Sequence, residues 1–103
     1  MRRGEVWWAR LPKPAGRRPV VLLSRDSAYA VRTAITVAPL TQTIRGIPVE
    51  VPLGPQDGLP RLCVVNLDDL ATIPKALLDE RITSLSDDKL RAVANAVRFA
   101  LDL

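Results

Sequence analysis

The chain has 103 residues, 48% of them apolar and 25% charged, a mix that supports one globular domain, residues 1–103, near the lower size at which a single core sustains itself. It contains no histidine and one cysteine, which excludes Ser-His-Asp and Cys-His catalysis, two-histidine metal sites, Cys/His zinc clusters and an internal disulfide. Net charge is +4, unevenly spread: residues 1–61 hold ten Lys/Arg against four Asp/Glu, whereas residues 62–103 hold five against seven. Twelve of the fifteen cations are arginine, whose planar fork matches pairs of phosphate oxygens. A polyanion is therefore the partner this composition suggests. No apolar run reaches membrane-spanning length and the first residues lack the apolar stretch of a signal peptide, so the expected location is the cytoplasm.

"GEVWWARL", residues 4–11, is rich in aromatic and β-branched residues and closes on the turn-forming "PKPAG", which predicts a first strand. "RPVVLLS", 18–24, is continuously apolar and reads as a central strand with no wet face. A third strand is expected over "TAITVAPLT", 33–41, with a turn at 42–46. Pro48 and Pro52 within "IPVEVPL", 47–53, suit an edge strand, because proline cannot donate to a ladder. "GPQDGLP", 54–60, reads as a loop, and "RLCVVNLDDLATI", 61–73, as a strand pair or one long bent strand with Cys63 buried in it. "PKALLDERI", 74–82, is expected to form a short helical turn with Pro74 at its first position. The strongest helix signal is C-terminal: Ser86 as N-cap, Asp87 and Asp88 in the first turn, and Leu90, Val93, Ala94, Val97 and Leu101 along one face. Short strands followed by one helix predict a mostly β, α+β architecture, a small antiparallel barrel or half-open sheet.

Polar residues suited to phosphate and base edges cluster at two strand ends, "GRR" at 16–18 and "LTQTIRG" at 40–46, the position where a rigid sheet carries functional groups. Thr41, Gln42, Thr43 and Arg45 offer hydroxyls, an amide and a guanidinium within five residues. Asp68 and Asp69 are adjacent, and on a strand they would point to opposite faces, so they do not read as a metal site. Glycine-rich phosphate loops are absent, and no metal or cofactor is expected.

In order, "RRGEVWWARL", "RRPVVLLSRD", "VAPLTQTIRGIPVEVPL", "VVNLDDLATI" and "ITSLSDDKLRAVANAVRFALDL" resemble the MazF/PemK family of toxin endoribonucleases almost end to end. The resemblance implies an SH3-like barrel of CcdB/MazF type, a homodimer, and metal-independent, sequence-specific cleavage of single-stranded RNA to 2′,3′-cyclic phosphate and 5′-hydroxyl ends, which stops translation. It also implies a cognate antitoxin whose flexible segment blocks the RNA groove. By position it places catalytic roles on Arg18 and Thr41 and a catalytic acid on Asp68, with Asp69 where the family usually has glutamine. Arg17, Gln42, Thr43 and Arg45 fall to substrate binding, Arg17 for backbone steering or antitoxin contact. The first loop, "PKPAGRR", is short and lacks the Gly-Ser-Glu stretch of some relatives. Two rival readings are a non-catalytic, CcdB-like toxin that poisons gyrase, and an RNA- or protein-binding module with a decayed site. For the first, "RFALDL" offers no match to the C-terminal residues such proteins need.

Overall fold

Seven strands and two helices build the fold, and the computed structural model describes all of residues 1–103. In chain order they are β1 (Glu5–Arg10), β2 (Arg17–Leu22), the short α1 (Ala28–Val31), β3 (Ala34–Thr41), β4 (Glu50–Leu53), β5 (Cys63–Asn66), β6 (Ala71–Pro74), β7 (Leu78–Ser84) and α2 (Asp87–Leu101). They form one antiparallel sheet in the order β4-β5-β3-β2-β1-β7, with β6 also paired to β3. β4 and β7 end the path without meeting, so the expected barrel is an open, curved sheet. No helix is long and apolar enough to cross a membrane.

β2 occupies the centre, between β1 and β3, and its uninterrupted apolar run serves two cores at once. Val21 and Leu23 join the cluster that includes Leu53, Val65, Val93 and Ala96, whereas Val20 and Leu22 join Ile35, Val37, Ile73 and Leu78 on the opposite face. Alternation along β3 divides in the same way, Ala38 and Leu40 to the first cluster and Ile35 and Val37 to the second. β4 lies at the sheet edge, where Pro52 does not interrupt a second ladder. α2 covers the first cluster with Val93 and Ala96 buried, while Leu101 stays 54% exposed. Its N-terminus is closed by Ser86, whose Oγ accepts from the Lys89 N–H at 3.2 Å.

Two expectations are corrected. Residues 74–82 do not form a helical turn starting at Pro74; a 3-10 turn covers only Lys75–Leu77, and Leu78–Ser84 is a full strand along β1. Leu78 and Ile82 are the apolar anchors of that strand, and pairing with the otherwise open side of β1 outweighs the helix-favouring Glu80 and Arg81. Over 61–73 two strands form, yet they do not pair with each other. β5 lies between β3 and β4, and β6 lies on the first half of β3. Asp68 and Asp69 therefore sit in the turn between them rather than on a strand.

One buried acid ties the N-terminus to the sheet. Glu5, 8% exposed, accepts from the Arg2 N–H and the Trp7 indole N–H at 3.0 Å each, with Arg81 at 3.5 Å. Burial alone would push its carboxyl up, but the indole and amide hydrogen bonds and the charges of the N-terminal ammonium and Arg81 together hold it below the ordinary 4.5. Its contribution to stability is thus complete above the unfolded-state value and drains as pH falls through the lower folded value. Thermal melts across acidic pH are expected to show stability falling below that region in the wild type. In Glu5→Gln the acid limb flattens, and the variant loses about 1 kcal/mol at neutral pH.

Candidate functional site

The antiparallel register that sets Val20 against Pro39 and Val21 against Ala38, continued two residues, brings the start of β2 beside the end of β3. Two polar clusters distant in sequence thereby share one cavity of about 440 Å³. Arg17, Arg18, Thr41, Gln42 and Thr43 line it, together with Trp8, Arg61 and Cys63. None of its thirteen lining residues is a carboxylate.

Each cation is held in its own way. Arg18 is half-buried, and its Nε–H donates to the Ala15 carbonyl at 3.0 Å. That bond fixes the guanidinium plane and leaves both terminal nitrogens without a protein partner. Arg17 is committed elsewhere: its Nε–H meets Asp79 Oδ2 at 3.2 Å and its Cζ lies 4.3 Å from the centroid of the Trp8 ring. Asp79 is shared with Arg10 at 2.9 Å. Exposed ion pairs of this kind contribute only about 0.2–1 kcal/mol, so the trio orients Arg17 more than it stabilises the fold. Thr41 Oγ1 accepts from the Thr43 N–H at 3.1 Å, which leaves its own O–H to donate into the cavity.

Arg61 was not singled out in the sequence, and it arrives from the loop between β4 and β5. That loop is pinned at several points. The Asp57 carboxylate accepts from the Gly54 N–H at 2.9 Å and lies 3.8 Å from Lys89 Nζ, which itself donates to the Pro52 carbonyl at 2.7 Å. Gly58 turns the chain at φ +91°, where an added Cβ would collide with the Thr83 side chain. The surplus of arginine in residues 1–61 was the only signal for Arg61; its return to the site depends on the loop's anchors.

Two expected members are not brought in. The backbone N–H groups of Arg45 and Gly46 both donate to Glu50 Oε1 at 2.9 Å, folding the segment onto β4 and keeping the exposed Arg45 off the cavity lining. Asp68 is exposed in its turn, with its N–H bonded to Asn66 Oδ1 at 3.0 Å, and it does not line the cavity either. The carried-over acid therefore does not meet Arg18.

Arg17 and Arg18 at the start of β2, Thr41 at the end of β3 and Arg61 from the loop before β5, with no carboxylate in the lining, define a small β-sheet protein whose cavity suits a phosphate-bearing ligand. The chain belongs to the PemK-like, MazF-like toxins of type II toxin–antitoxin systems, whose family model matches residues 2–101. A probable endoribonuclease MazF5 of Mycobacterium tuberculosis is 46% identical over 97% of this chain and 92% of its own length. The solved structure of Mycobacterium tuberculosis toxin MazF-mt6 superposes with a TM-score of 0.89 at 36% identity, covering 96% of this chain and 97% of that one. An endoribonuclease from a mycobacterial species, solved in complex with its cognate antitoxin, superposes at 0.88 with 26% identity over all of this chain and 96% of that one.

Cys63, 8% exposed, forms part of the cavity wall. Burial pushes its thiol up, and the nearby Asp57 adds to the rise. A raised value means less thiolate at any given pH. Alkylation by iodoacetamide at neutral pH is expected to run slower than for a free cysteine, with a rate that rises only at more alkaline pH, followed by mass spectrometry.

Proposed function

We propose that the chain is the toxin of a toxin–antitoxin pair and an endoribonuclease that cuts single-stranded RNA. The observation that carries the reading is the pairing of Arg18, with both terminal nitrogens open, and the Thr41 hydroxyl on one cavity without a carboxylate. RNA contains its own nucleophile. As the 2′-oxygen bonds to phosphorus and the P–O5′ bond breaks, negative charge builds on the non-bridging oxygens, and a preorganised guanidinium is worth most at that moment. Arg18 binds those oxygens, Thr41 donates to the same phosphate, and the 2′-proton and the proton for the departing 5′-oxygen are exchanged with solvent. Arginine does not release its proton under physiological conditions, so electrostatic stabilisation is its contribution. The products are a 2′,3′-cyclic phosphate and a 5′-hydroxyl, and the chemistry requires no metal.

Arg17 and Arg61 steer the flanking phosphates, and Gln42 and Thr43 face the strand beside Thr41. Association depends on salt, because each phosphate contact releases counterions. The same cations suit an acidic segment of a cognate antitoxin, which would silence the site by occupying it.

Cleavage of single-stranded RNA by purified protein in EDTA is the test. Wild type cuts; Arg18→Ala and Thr41→Ala each slow cutting by on the order of 10² or more while the fold persists by circular dichroism. Arg17→Ala, whose side chain is already committed to Asp79 and Trp8, slows it less than about tenfold. RNA left whole by the wild type would favour a non-catalytic, CcdB-like toxin. Loss of cutting in Arg17→Ala with activity retained in Arg18→Ala would reverse the two roles.

A further inference from the structure

Arg18 also borders a second recess, of about 240 Å³, whose other lining residues include Leu11, Ala15, Val37, Pro39, Ala71 and Asp69. Apart from Arg18, Asp69 is the one polar residue in its lining. A guanidinium and a carboxylate thus share an apolar recess, yet they form no ion pair, because Arg18 is turned to the Ala15 carbonyl.

The carboxylate is held in place from below. Asn66, 7% exposed at the end of β5, donates through Nδ2–H to Asp69 Oδ2 at 3.1 Å and accepts through Oδ1 from the Asp68 N–H. Its backbone carbonyl accepts from the Asp69 N–H at 3.3 Å. A buried amide is therefore spent on shaping this turn, and Asp69 Oδ1 is left without a protein partner. The result is a hydrogen-bond acceptor on an exposed side chain, oriented by Asn66, at the rim of an apolar recess that Arg18 also lines.

We propose that this recess is a nucleobase subsite, and that Asp69 selects a base bearing an exocyclic amino group over uracil. The inference rests on the RNA reading above. A base of the strand whose phosphate lies on Arg18 can lay its faces on Leu11, Val37 and Pro39, as unstacked bases of single strands do on apolar and aromatic walls. The amino N–H of cytosine, adenine or guanine then donates to Asp69 Oδ1, the pairing that carboxylates make with cytosine N4 in other nucleic-acid complexes. Uracil presents its one ring N–H between two carbonyl oxygens, and a carboxylate repels both.

The experiment uses an RNA library randomised around the cut, read by sequencing of the cleaved ends. In parallel, the same library made with 2′-deoxy residues, which the protein cannot cleave, is selected for binding. At one position beside the cut, wild type is expected to disfavour uracil by about tenfold or more. Asp69→Asn, whose amide both accepts and donates, and Asp69→Ala are expected to bring that ratio within about threefold at this position alone, with melting temperatures close to wild type. Ala71→Phe, which fills the recess from its exposed side, is expected to erase the same preference and serves if the Asp69 variants do not fold. Equal tolerance of uracil at every position in wild type, an unchanged preference in the variants, or a loss of preference at all positions together would overturn the assignment. If wild type cleaves nothing, the endoribonuclease reading falls, and base selection in the uncleavable library still decides the recess.

Discussion

Pairing of β2 with β3 is the constraint on which the rest depends. Both strands are buried on both faces, so their register is fixed from two sides: a one-residue slip would exchange every apolar residue between the two cores. That rigidity is transmitted to the strand ends, where Arg18 and Thr41 meet across the ladder without any direct bond between them. The catalytic geometry proposed here is a by-product of core packing. Neither residue needs its own scaffold, and the short first loop has only to supply the Ala15 carbonyl that orients Arg18.

Around this pair the charges are sorted rather than pooled. Arg10 and Arg17 share Asp79, and Arg81 approaches Glu5, so these cations are satisfied by folding. Arg18 and Arg61 have no acidic partner in the structure and face the cavity. Isolated guanidinium groups on a small protein contribute little to its stability and repel one another, a cost that is offset only when an anion arrives. Asp69 completes the division, kept near Arg18 yet bonded to Asn66 instead.

How much of this was legible in the sequence follows from which interactions are local. β1 to β4 and α2 announced themselves through period, proline and an N-cap, all properties of contiguous residues. β7 did not, since "LDERITS" carries only Leu78 and Ile82 as core residues and is a strand because β1 has a free side. α1 spans four residues, too few for a periodic signal. In the site, Arg17, Arg18, Thr41, Gln42 and Thr43 were legible because each lies at a recognisable strand end. Arg61 was missed because a loop anchored by Asp57, Gly58 and Lys89 returns it from a distance. Arg45 and Asp68 were expected and lie elsewhere, drawn away by Glu50 and Asn66. Those two hydrogen-bond acceptors are individually unremarkable in a sequence, and their partners are set only once the turns have formed.

The central claim is that the RNA's own 2′-hydroxyl is the nucleophile and that the protein supplies fixed positive charge. The chemistry of the new ends tests it most directly. Mass spectrometry of fragments from a defined single-stranded RNA is expected to find a 2′,3′-cyclic phosphate upstream and a 5′-hydroxyl downstream, with no cut where the 2′-hydroxyl at that site is replaced by hydrogen. A 3′-hydroxyl upstream with a 5′-phosphate downstream, or cutting that survives the 2′-deoxy substitution, would mean that water attacks the phosphate and that the arginine cavity is not where the reaction takes place.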